Sequence, residues 1–259
     1  MNIAEKEIHV WILSDENFDD RAVERLSLTA LRPEEIRRSG RFLFEKHRKQ
    51  FILTRWLLRL ILSEYCAEIR PLDWEFDTNA YGKPHIQNRI SVNLEFNLSH
   101  TDGQIVLALA IDDEIGVDVE FVGRPNFSLD IAQNYFSPVE VTELYKIEPS
   151  MRISRFFDLW TLKEAYIKAC GQGLSIPLDH FAYSFLGSRL EISFNQERND
   201  DPSLWNIWLW ELSKKHVMSV ALKTLKRSHT ATVKIFEIDS SFEYVNVFLP
   251  PKFQTETTL

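Results

Sequence analysis

Along the 259 residues, short apolar runs with strand-like alternation are interleaved with longer stretches in which apolar side chains return every three or four positions. Leu94-Glu-Phe-Asn-Leu98 alternates as one face of a strand does, Thr101-Asp-Gly103 reads as a turn, and Gln104 to Ile111 runs back as the partner strand. Between Arg152 and Cys170, the residues Phe156, Phe157, Leu159, Trp160, Leu162, Tyr166 and Ala169 recur at helical spacing. This spacing predicts a helix over 152–170 with Gly171 as its C-cap. Tyr81-Gly-Lys-Pro84 reads as a loop, in which Gly82 accepts a positive φ and Pro84 holds Lys83 extended.

The pattern is written twice. Glu7-Ile-His-Val-Trp-Ile-Leu13 returns as Glu114-Ile-Gly-Val-Asp-Val-Glu120, an offset of 107. Leu31-Arg-Pro-Glu-Glu35 is echoed by Phe136-Ser-Pro-Val-Glu140 at 105, and the helical stretch from Gln50 to Arg59 by Phe156 to Ala165 at 106. Pro-Leu-Asp follows each helix, at Pro71 and Pro177, again 106 apart. Gln104 to Ala110 then matches His216 to Leu222 at 112. Five matches in the same order imply two pseudo-repeats, 1–113 and 114–259, each a strand, a helix and an antiparallel sheet. The period is too long for a solenoid. An α+β fold of two pseudo-twofold-related subdomains, with a ligand cleft between them, is the expected architecture.

The repeat also shows where the two copies part. Asp118 and Glu120 lie two apart on a predicted strand and so share a face. Glu164 and Lys168 lie four apart on the predicted helix and share another. At the matching positions of the first half stand Trp11, Leu13, Leu58 and Leu62. A surface strand and a solvated Glu–Lys pair would be the ordinary explanation of such charges; the apolar counterparts argue for a functional departure instead. If strand and helix meet, three carboxylates and one ammonium converge. Two carboxylates about 4 Å apart repel by roughly 4 kcal/mol at an effective dielectric near 20, so the cluster calls for a cation or for protonation of one member. An all-oxygen set suits a hard divalent ion, with Mg²⁺ held by carboxylates and substrate phosphates the usual form.

Composition narrows the classes. Hydrophobic residues make up 44% and charged residues 26%, as in ordinary globular domains. No apolar run approaches the roughly 20 residues that span a bilayer, and the first residues carry no signal-type apolar stretch. With two cysteines, Cys66 and Cys170, neither a disulfide framework nor a zinc site is expected, and a cytoplasmic setting is. The formal net charge of −8 argues against nucleic-acid binding. Yet residues 37–59 hold eight Lys or Arg against one acid, Glu45. That stretch is a solvated helix face or an anion site, and an acidic metal cluster elsewhere favours the anion site. Asn97-Leu-Ser-His100 lacks the Gly-x-Ser-x-Gly elbow of a serine hydrolase, and its neighbouring side chains point to opposite faces. A hydroxyl and an imidazole at a strand end suit phosphate better.

In order, the chain thus offers Gly82-Lys-Pro84, Phe96-Asn-Leu-Ser-His100, Gly116-Val-Asp-Val-Glu120 and Trp160-Thr-Leu-Lys-Glu-Ala-x-x-Lys168-x-x-Gly-x-Gly-Leu174. This set resembles the Sfp-type 4′-phosphopantetheinyl transferase family over residues 30–180. The resemblance implies a holo-carrier-protein synthase type of enzyme, a Mg²⁺-dependent phosphotransferase. It would move the 4′-phosphopantetheine arm of coenzyme A to a serine of an apo acyl, aryl or peptidyl carrier protein and release adenosine 3′,5′-bisphosphate. By motif position, Asp118, Glu120 and Glu164 correspond to the metal ligands, for Mg²⁺ with Mn²⁺ as an alternative. Glu164 and Lys168 would be catalytic, and Lys83, Ser99 and His100 would contact coenzyme A. Arg38 and Arg48 are the candidates for its phosphates, and Glu35 stands where some members carry lysine. Residues 127–145 are the expected docking region for the carrier, and a monomer is expected because one chain supplies both halves of the cleft. The competing readings are a Mg²⁺-dependent phosphohydrolase and a non-catalytic nucleotide-binding module.

Overall fold

The structure is a computed structural model and describes residues 1–124, 127–224 and 231–255. The first half runs β1 (Glu7–Ser14), α1 (Asp20–Thr29), α2 (Pro33–Ser39), α3 (Glu45–Tyr65), β2 (Phe76–Thr78), β3 (Pro84–Ile86), β4 (Leu94–Thr101) and β5 (Gln104–Ile111). The second runs β6 (Glu114–Phe121), α4 (Asp130–Tyr135), α5 (Pro138–Lys146), α6 (Pro149–Cys170), β7 (Phe181–Leu186), β8 (Arg189–Phe194), β9 (Trp205–Ser213) and β10 (His216–Lys223). Each half therefore goes strand, helices, short hairpin, long hairpin. The long hairpins pair with their first strands in the same order, β1-β5-β4 and β6-β10-β9. The repeat read from the sequence is a repeat of topology.

Alternation along the strands builds three cores. Trp11, Leu13, Ile105, Leu107 and Leu109 turn to α3, while Ile207, Leu209, Val217 and Ala221 turn to α6. The opposite faces meet each other: Ile8, Val10, Ile12, Val106 and Ala108 pack on Val117, Val119, Trp208, Met218 and Val220. The result is helix, sheet, sheet, helix. The fold is α+β, with two related halves back to back.

The last strands depart from the simple repeat. β11 (Thr232–Ile238) lies parallel to β1, and β12 (Tyr244–Val247) is antiparallel to β11. Both belong to the first sheet, although the division expected after residue 113 groups 114–259 together. The backbone of β1 is buried, so its second edge needs hydrogen-bond partners, and β11 supplies them. β13 (Phe253–Thr255) then returns to the second sheet between β9 and β8. Helix α6 starts three residues before its expected first residue, at Pro149, where proline's fixed φ and missing N–H suit the first turn. It ends as expected on Gly171, at φ 68°, whose N–H donates to Ile167 O.

Candidate active site

Strand β6 carries two sets of side chains. Ile115, Val117 and Val119 enter the core between the sheets. Gly116, Asp118 and Glu120 face α6. Gly116 lets that helix come unusually close: a Cβ there would lie 2.1 Å from Ala165 O and 2.4 Å from Ala169 N. Strand and helix backbones are in contact, which places Glu164 and Lys168 over Asp118 and Glu120.

Lys168 Nζ donates to Asp118 Oδ1 at 2.6 Å, to Ser99 Oγ at 2.8 Å and to Val117 O at 3.3 Å. Ser99 Oγ in turn donates to Asp118 Oδ1 at 2.8 Å. Asp118 is buried, and its Oδ2 has no hydrogen-bond partner among the described residues. Ser219, opposite Asp118 in the β6–β10 ladder, likewise has a buried, unpartnered hydroxyl. Glu120 is paired with Arg124 in the next turn. Even so, burial and the charges of Asp118 and Glu164 push its pKa up to about 7. Burial, then Asp118, pushes Glu164 up as well. The convergence expected from spacing is present: the charge of Asp118 reaches both Glu120 and Glu164.

Ser99 comes from the first half, and its neighbours explain the motif around it. β4 and β6 run side by side without a backbone ladder between them. Asn97 Oδ1 accepts from Val117 N at 2.9 Å, and Thr101 Oγ1 accepts from Phe121 N at 3.2 Å. Three buried side chains two residues apart, Asn97, Ser99 and Thr101, thus replace strand pairing at this seam. Sequence reasoning missed Asn97 and Thr101, although the period of two was there to read. His100 alternates to the other side of β4 and is exposed.

The remaining candidates lie around this centre. Lys83 Nζ donates to Ala169 O at 2.9 Å and to Ile115 O at 3.1 Å, and burial lowers its pKa. With Asn79, whose Nδ2 donates to Gly171 O at 2.7 Å, it caps the C-terminal end of α6. Its ammonium therefore holds the two halves together. Arg48 pairs with Glu24 and Glu45, both at 3.3 Å. Arg38 stacks on Phe51, 5.3 Å from the ring centroid. Glu35 is occupied by Arg59 at 3.0 Å and by Arg32 N at 2.9 Å. In this structure neither basic candidate touches the carboxylate centre through a hydrogen bond or ion pair among the described residues.

Among the described residues no group of three His, Cys, Asp or Glu is already arranged as a metal site. Asp118 is turned to Lys168 and Glu120 to Arg124. The donor set nevertheless fits a hard cation: it is all oxygen, one carboxylate oxygen is buried without a partner among the described residues, and two neighbours are held toward the protonated form by burial and then by the charge of Asp118.

Comparison with known proteins gives the family. Residues 114–221 match the model of the 4′-phosphopantetheinyl transferase superfamily, and residues 21–111 match the model of the 4′-phosphopantetheinyl transferase N-terminal region. The 4′-phosphopantetheinyl transferase HetI of Nostoc sp. is 33% identical over 177 residues, covering 68% of this chain and 73% of that protein. The 4′-phosphopantetheinyl transferase Sfp of Bacillus subtilis is 32% identical over 155 residues, 60% of this chain and 66% of that one. The L-aminoadipate-semialdehyde dehydrogenase-phosphopantetheinyl transferase of Xenopus laevis is 25% identical over 239 residues, 85% of this chain and 78% of that one. The chain belongs to the Sfp-type 4′-phosphopantetheinyl transferase family, and it is a transferase that moves phosphopantetheine from coenzyme A to carrier proteins.

Proposed function

We propose that Asp118, Glu120 and Glu164 hold Mg²⁺, with Mn²⁺ as an alternative, and that Glu164 and Lys168 carry out the transfer. The unpartnered Oδ2 of buried Asp118, beside two carboxylates of raised pKa, is the observation that supports this reading. Bound there, the cation would neutralise pyrophosphate charge. Glu164 takes the proton of the carrier serine, a task for which a raised pKa makes it a better base near neutral pH. The serine oxygen bonds to the β-phosphorus of coenzyme A, and the bond from that phosphorus to the bridging oxygen breaks. The leaving adenosine 3′,5′-bisphosphate keeps the electron pair. Lys168, partly exposed above Asp118, offsets the charge that builds on the departing phosphate. Ser99 holds Lys168 and Asp118 in register, and His100, on the exposed face of β4, meets a phosphate of coenzyme A. Lys83 serves coenzyme A by anchoring the loop beside α6. One chain supplies both sides of the cleft, so the working unit is a monomer, and two thiols without a disulfide suit the cytoplasm. No helix among the described residues is long and apolar enough to cross a membrane.

The test is Glu164→Gln, incubated with coenzyme A and an apo carrier protein while the mass of the carrier is followed. Turnover should fall by about 10²–10⁴ in a folded protein. Near-normal turnover would sink the role given to Glu164. Cleavage of coenzyme A without a carrier would turn the reading toward a hydrolase.

A further inference from the structure

Lys163 precedes Glu164 in sequence and sits about 100° from it around the helix, yet its side chain has no exposed surface. Its ammonium carries three protons and meets three acceptors: Leu178 O at 2.7 Å, Phe181 O at 2.7 Å and Glu140 Oε2 at 2.8 Å. The Phe181 ring lies against it, 4.3 Å from centroid to nitrogen. Glu140 is equally buried and equally engaged. Its Oε2 also accepts from Ser137 N at 3.0 Å and Ser137 Oγ at 2.9 Å, and its Oε1 accepts from Tyr183 N at 2.9 Å. One ion pair thereby ties the first turn of α5 and the start of β7 to the middle of α6.

Such a pair is a poor source of stability, because desolvating two charges offsets most of their attraction. A fully satisfied buried network does fix geometry. α6 draws on that geometry, since it rests on β6 over Gly116, which offers it no side chain, and Lys168 ties it to β6 one turn beyond Glu164. Lys163 holds the helix from the side, and Glu164 is the next residue. A misplacement of about 1 Å can cost a reaction about 10²-fold.

We propose that the buried Lys163–Glu140 pair is a positioning element of the transferase, fixing the rotation of α6 and with it the aim of Glu164. The proposal rests on the reading of Glu164 as the proton acceptor. The variants are Glu140→Gln and the double replacement Lys163→Met with Glu140→Met, with Glu164→Gln as a reference arm. Each is assayed with coenzyme A and an apo carrier, melted thermally, and its turnover is divided by the fraction that binds coenzyme A in calorimetric titration. The double variant should melt cooperatively, keep its KM for coenzyme A within about twofold and lose about tenfold or more in normalised kcat. Glu140→Gln should lose less, in the same direction, again at unchanged KM. Wild-type kcat in the folded double variant overturns the proposal while leaving Glu164 in its role if Glu164→Gln is slow. If the double variant does not fold, Glu140→Gln decides: unchanged kcat overturns the proposal, and a lower kcat at constant KM supports it. Near-normal turnover of Glu164→Gln removes the reading of Glu164 and this proposal with it.

Discussion

Strand β1 with helix α3 and strand β6 with helix α6 hold equivalent places in the two halves, yet one pair is core and the other is a site. Trp11, Leu13, Leu58 and Leu62 are fully buried where the second half has Asp118, Glu120, Glu164 and Lys168. The difference begins at the strand edges. β1 is central, with β5 on one side and β11 on the other, and Trp11 stacks on Phe236 of β11 at 4.6 Å. Among the described residues β6 is an edge strand that pairs with β10, and its other edge meets side chains instead of a strand: Asn97, Ser99 and Thr101 of β4, with Lys83 and Lys168. Carboxylates at the positions of Trp11 and Leu13 would be sealed beneath β11 and β12 without partners, at a cost of several kcal/mol each. Beside an open edge they find partners, Lys168 for Asp118 and Arg124 for Glu120. A duplicated fold gains a site where one copy leaves an edge unpaired.

Asp118→Asn breaks the comparison most severely, since it neutralises the carboxylate that stands where the first strand has Trp11. It removes the charge that Lys168 sits on, and loss of one preorganised electrostatic group typically lowers kcat by about 10²–10³. Steady-state turnover across a Mg²⁺ titration checks this, and rates within threefold of wild type at every concentration would contradict it. Gly116→Ala tests the close contact of helix and strand. The matching first-half residue is His9, so α3 is spaced for a side chain and α6 is not. A Cβ 2.1 Å from Ala165 O forces backbone to move, and overpacking of this kind should lower stability by about 3 kcal/mol in urea unfolding. An unchanged midpoint would mean that α6 shifts freely.

Glu120 gives a prediction with a sign. Its pKa is raised from an ordinary 4.5 to about 7, so between those values the folded state binds more protons than the unfolded one. Stability from this group therefore falls as pH rises from 4.5 to 7 and stays low above. At pH 8 without divalent cations, Glu120→Gln should be more stable than wild type by up to about 3 kcal/mol, and at pH 4 the two should melt alike. Adding Mg²⁺ should stabilise wild type and not the variant, as thermal melts will show. Greater stability of wild type at pH 8 in chelator would refute the strain assigned to the carboxylate.

Much of this was legible in the sequence because it depends on period. The spacing of two in Asp118 and Glu120, the spacing of four in Glu164 and Lys168, and the offset near 106 all report local backbone geometry, which the strands, helix and repeat then realise. What escaped depends on pairing across long separations. Nothing in the run Thr232 to Ile238 says that it will lie beside β1 and not in the second sheet. Lys163 reads as one more charge in a helical pattern until Glu140 and two carbonyls are brought to it. Lys83 reads as a coenzyme A contact, and nothing in the sequence shows that its ammonium also lies between Ala169 O and Ile115 O. A lone cation in a sequence does not show whether its partner is a ligand or the fold.

That ambiguity makes the smallest prediction the most discriminating one for the first half. Arg38 and Arg48 are both basic candidates for the phosphates of coenzyme A, and the structure treats them differently. Arg48 already faces Glu24 and Glu45 at 3.3 Å each, with both carboxylates largely exposed. A phosphate would have to compete with them, and surface pairs of this kind are worth about 0–1 kcal/mol. Arg38 lies over the Phe51 ring, which Arg55 flanks at 5.6 Å, so two guanidinium groups share one half-buried aromatic platform. Losing a charged hydrogen bond to phosphate should raise the KM for coenzyme A about tenfold in Arg38→Ala, while Arg48→Ala should change it less than about threefold and lower stability by under about 1 kcal/mol. The reverse order of KM values would move the phosphate end of the ligand from α2 to the start of α3, and the apolar half would then grip coenzyme A by breaking its own ion pairs.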